Sequence, residues 1–235
     1  MHPTRKSARI AGAIYLSMVL VAPFAMIYVP GKLFVHGNAA ATADNILAHE
    51  TMFRLAIFGD LIGHVIFICL GIVLYRLLNE VNKVWAMLML AFVLVSAAVG
   101  FLNTLNNIAA LSLFRGGEFL AVIDKVQRDA LGFLFLRLHE QGEFINEVFW
   151  GVWLLPFGLL VSKSRFLPRI LGIWLIIACV AWVALSIIAQ FFPQSVQHRF
   201  WLVAAGILRR NGNDALLPDQ RSQPKGVADS NCLIS

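Results

Sequence analysis

Five long apolar runs fill most of this chain: residues 10–29, 52–75, 84–114, 144–161 and 170–192. Each has about 20 residues or more, the length a helix needs to cross the roughly 30 Å hydrocarbon core of a bilayer. No water is available there to the backbone, so α-helix is the state that satisfies every N–H and C=O within its own segment. The composition agrees: 59% of the residues are hydrophobic and 14% charged, where a soluble domain carries about 25% charge. The runs consume so much of the 235 residues that no room remains for a separate soluble enzyme domain.

A net charge of +6 would suggest nucleic acid in a soluble protein. Here the basic residues gather at the ends of the runs, where they set orientation and meet lipid headgroups. No basic stripe is left for DNA or RNA, and the expected partner is the lipid bilayer, with a homo-oligomer or another membrane protein beside it. Cys69 and Cys179 lie inside runs and read as small buried hydrophobes, while Cys232 sits in the tail. Arg5, Lys6 and Arg9 precede an apolar stretch that outlasts a signal-peptide core, so an uncleaved first helix is expected.

Orientation follows from Lys and Arg in the short connections. The N-terminus has Arg5, Lys6 and Arg9, the second connection Arg76 and Lys83, the fourth Lys163, Arg165 and Arg169. These dense segments are expected on the cytoplasmic side, with the N-terminus inside. Segments 31–51 and 115–143, which mix both signs of charge, fall outside. Within them, 42–53 reads as a lead-in to the second helix with Asp44 at its N-cap, and 118–137 as an amphipathic segment on the membrane surface. Past Pro193 only residues 200–208 are apolar, about half a span, before a polar stretch. Residues 1–208 are therefore expected as one bundle and 209–235 as a disordered tail.

Several segments together resemble a bacterial family of multi-pass membrane proteins, domain of unknown function 4386. They are Ala8-Arg9-Ile10-Ala11-Gly12, Arg54 with Gly59-Asp60-Leu61-Ile62-Gly63, and Leu74-Tyr75-Arg76-Leu77-Leu78 with Val81-Asn82-Lys83. Phe101-Leu102-Asn103 with Leu105-Asn106, Phe149-Trp150-Gly151 with Leu154-Leu155-Pro156, and the stretch from Lys163 to Gly172 complete the series. The resemblance covers about residues 5–192. It implies a helical bundle, usually of six spans, in the bacterial cytoplasmic membrane, and implies no reaction. Against that pattern the sixth span stops near Leu208. A frameshifted gene end would produce such a break, and a short re-entrant helix is the alternative. The expected architecture is thus five full transmembrane helices plus a truncated sixth.

Ionisable groups inside a bilayer are costly, and each marks a site to be explained. Asp60 lies about 8 residues, or roughly 12 Å, into the second run. Glu147 lies a few residues into the fourth run, and Asn103, Asn106 and Asn107 fall at a similar depth on the third. Together with His64, four residues beyond Asp60, they are expected to form one polar layer in the outer half of the membrane. Gly59 and Gly63 have the spacing of a close helix approach. Glu140, Glu143 and Glu147 share a helix face, with His139 beside Glu143. Pro156 is expected to kink its helix.

Three readings compete for the layer. The first is an inter-helical hydrogen-bond network without a ligand, in keeping with a non-enzymatic membrane role. The second is a small-molecule or ion-coupled transporter. The third is a metal or haem enzyme, for which His36, His49, His139 and His198 supply imidazoles but no ligand spacing. No cofactor and no metal is expected, no catalytic residue is assigned, and the ligand is open.

Overall fold

The computed structural model describes residues 5–164 and 167–191. Residues 200–208 and 209–235, the expected truncated span and tail, lie outside these. Among the described residues the regular structure is entirely helical. The first run folds as α1 (Arg5–Pro23), a π-helical turn (Phe24–Tyr28) and α2 (Val29–Leu33). The π turn closes with Val29 N–H donating to Phe24 C=O, directly after Pro23, which has no N–H of its own to give.

Next come α3 (Ala39–Ala48), α4 (Glu50–Leu78), α5 (Lys83–Arg115), a short 3-10 turn (Glu118–Leu120), α6 (Lys125–Val152), α7 (Leu154–Lys163) and α8 (Arg169–Phe191). Polar side chains start three of them. Asn38 accepts from Ala41 N–H, Asn82 from Trp85 N–H and Asp124 from Gln127 N–H. Gly116, at φ +66°, ends α5.

Two expectations are corrected here. Asp44 is no N-cap: the helix begins earlier, behind Asn38, because Ala39-Ala40-Ala41 is strongly helix-forming, and Asp44 instead meets Lys125 Nζ at 3.2 Å. The stretch 118–137 is no separate surface segment. From Lys125 on it is the first half of α6, held by α3 and α5. Pro156, which lacks an N–H and crowds the carbonyl four residues back, lies just after the interruption at Trp153 that separates α6 from α7.

Among the described residues four helical stretches are long and apolar enough to cross a membrane: Glu50–Leu78, Lys83–Arg115, Lys125–Lys163 and Arg169–Ile188. The first run, divided at the π turn, is not one of the four. α5 is central, packing against α4, α6 and α7; α1 lies along α4, and α8 along α6 and α7. Much of the outward surface is apolar, with Phe58, Leu102, Trp174 and Val180 exposed, and the same is true of Cys69, which faces outward rather than into the core.

The interior is not one core but two. Ala25, Val29, Ile46, Phe53, Ala110 and Phe114 belong to one cluster, toward the start of α4. Phe67, Leu70, Leu78, Met89, Val93 and Trp153 belong to the other, toward its end. On α4, α5 and α6 alike, polar side chains occur between these clusters, among them Asp60, Asn103 and Glu143.

Candidate functional site

The interruption spans Asp60–His64 on α4, Ser96–Asn107 on α5 and His139–Glu147 on α6. On α5 that is about 17 Å of helix at 1.5 Å per residue, a girdle rather than a thin layer. α5 meets α6 there through Asn103. Its Nδ2 donates to Glu143 Oε1 at 2.8 Å and to the His139 carbonyl at 2.9 Å, and its Oδ1 accepts from Asn106 Nδ2 at 3.1 Å. His139 Nδ1 lies 3.1 Å from the Asn103 carbonyl, and its Nε2 4.0 Å from Glu143 Oε1. Gly142 makes this possible: a side chain there would overlap the Asn103 amide.

About two turns further along α5, Ser96 Oγ donates to Asn146 Oδ1 at 2.9 Å, both side chains being buried. Between these two links α4 docks. The His64 imidazole lies on the backbone of Gly100, where any Cβ would collide with it, and its ring stands edge-on to Phe101 with centroids 5.2 Å apart. Thr104, beside it, returns its hydroxyl to the Gly100 carbonyl.

The carboxylates are less well provided. Asp60 and Glu147, both half-buried, have no hydrogen bond or ion pair among the described residues. The charge of Glu143 reaches Asp60, His64 and Glu147, and that of His139 reaches His64. Two amide atoms are also buried without a partner, Asn107 Oδ1 and Asn146 Nδ2.

Of the six residues singled out from sequence, Asn103 and Asn106 bond directly, and His64 stands against the same stretch of α5. Asp60 and Glu147 lie in electrostatic range of Glu143, and Asn107 is buried with an unmet acceptor. Glu143, His139, Ser96 and Asn146 complete the girdle and were not among those six. The signal for two of them was spacing: His139, Glu143 and Glu147 recur at intervals of four, one face of a helix. Glu140, seven residues before Glu147 and so close to the same line on the helix, pairs with Arg137 at 2.7 Å. Gly59 and Gly63 are not a close-approach pair, since Gly63 has nothing within 4 Å of where a Cβ would stand and Gly59 only Ala25 at 3.9 Å. His36 and His49 are exposed, and His198 lies outside the described residues. No group of three metal-ligating side chains occurs among the described residues.

Fold and girdle together define the class: among the described residues, an all-α protein with four helices fit to cross a membrane and a polar interruption in its core. The chain belongs to the family described as Domain of unknown function (DUF4386), whose profile matches residues 10–209. No curated protein and no solved structure matches it.

Proposed function

We propose that this is a multi-pass protein of the bacterial cytoplasmic membrane whose polar girdle exchanges protons, as an ion-coupled carrier or relay does. Five helical runs cross in this reading, the first through its π turn, with the N-terminus cytoplasmic and a shortened sixth segment following α8. The supporting observation is the company the acids keep. Glu143 lies within electrostatic reach of both Asp60 and Glu147, and no lysine or arginine pairs with any of the three among the described residues. Glu143 has Asn103 and His139 beside it, whereas Asp60 and Glu147 have no such partner and are the acids best placed to take up positive charge, as protons or as a cation.

The hydrogen-bond network reading keeps a share of the same girdle. Asn103 and the Ser96–Asn146 pair join α5 to α6 and need no ligand to do so. The division of labour is testable. Asp60→Asn and Glu147→Gln should abolish a phenotype driven by the pH gradient while the protein remains folded in the membrane. Lowered thermal stability in detergent, with the phenotype kept, would make the acids structural instead.

A further inference from the structure

An open groove of about 580 Å³ runs between the first half of α4 and the last half of α5. Its walls are apolar, including Ile57, Phe58, Leu61, Ile108, Leu111 and Phe119, and Phe58 and Phe119 are well exposed. Its end is basic, lined by Arg54, Arg115 and Gly116. One carboxylate oxygen, Glu50 Oε1, holds both guanidiniums, at 2.6 Å from Arg54 Nε and 3.6 Å from Arg115 NH1. Two positive charges therefore share one negative. A third guanidinium, that of Arg128, lies over Gly116, has no ion pair among the described residues, and carries a buried Nε without a partner.

We infer that this groove is a binding site for an anionic phospholipid, whose phosphate sits among Arg54, Arg115 and Arg128 while an acyl chain follows the apolar wall. The guanidinium fork matches phosphate oxygens, and Glu50 presets two of the forks. The charge left after Glu50 complements a headgroup of net negative charge rather than a zwitterion. The apolar wall favours a lipid over free phosphate, which would leave it uncovered. The basic end lies at the Glu50 end of α4, while Leu61 and Ile108 bring the apolar wall to the edge of the girdle.

The test compares purified protein in neutral detergent with added phosphatidylglycerol, phosphatidylcholine or inorganic phosphate, reading melting temperature and lipid retained in native mass spectra. Phosphatidylglycerol should bind and raise the melting temperature, and the other two should not. R54Q/R115Q should lose the phosphatidylglycerol preference by about tenfold or more, the scale of a lost charge-assisted bond or two. If that double variant does not fold, R54Q and R115Q singly carry the test, each expected to weaken the preference several-fold. Equal effects of both lipids, an equal effect of inorganic phosphate, or a preference that survives the substitutions would overturn the site.

Discussion

Asn103 does at the scale of one residue what the bundle requires at its centre: it spends both faces of its amide, one on α6 and one on its own helix. The space for it comes from Gly142, so Gly142→Ala should overpack the contact and destabilise by about 1–3 kcal/mol. Gly63→Ala enters open space and adds helix propensity, so it should be neutral or stabilising by up to about 1 kcal/mol. Melting temperatures in one detergent compare the two, and the reverse order would restore the close-approach role that the glycine spacing suggests.

Ser96 gives a second residue-scale case. Ser96→Ala leaves the buried Asn146 amide unpartnered and should cost about 1–3 kcal/mol, whereas Ser96→Ala with Asn146→Leu removes both partners and should recover most of it. A double variant no better than the single one would deny that the pair is the cause. Asn103, Asn106, Asn107, Asp60 and His64 are legible in sequence, being polar letters in apolar runs. Glu143 and His139 show only as a spacing on one helix face, and their place in the girdle is hidden because they stand in a charge-rich stretch whose hydropathy looks the same whether it faces water or a neighbouring helix.

At the scale of elements, length and apolarity place the helices well and their starts poorly. α6 begins nineteen residues before its apolar run, at the cap of Asp124, because a helix leaving a membrane need not stop when its sequence turns polar. Its other end is dictated by one residue. Pro156→Ala would restore the missing donor to the Val152 carbonyl and straighten α6 into α7. Spin labels at Leu138 and Lys163, both exposed, should then shift to longer separations, toward the roughly 38 Å of an unbroken helix at 1.5 Å per residue. An unchanged distance distribution would assign the break to packing around Trp153, which stacks on Phe157 at 5.4 Å and meets Phe67 edge-on at 5.3 Å.

For the molecule as a whole, two apolar clusters separated by a polar girdle are a costlier interior than a single core, and that cost asks for a use. The proposed orientation decides which side the Arg54–Arg115 groove serves. With the native cysteines replaced, a cysteine at Gly117 should react with an impermeant thiol reagent in intact cells, and one at Lys83 should be shielded; both positions are exposed, so protein burial will not mimic the membrane. The opposite pattern would invert the topology.

The proposal that the girdle exchanges protons is tested most directly by infrared spectra of the reconstituted protein recorded across a pH series. A carboxylic-acid C=O band should be present, lose intensity as pH rises, and change when Asp60 becomes Asn or Glu147 becomes Gln. A pH series with no such band, or one that both variants reproduce unaltered, would contradict the account.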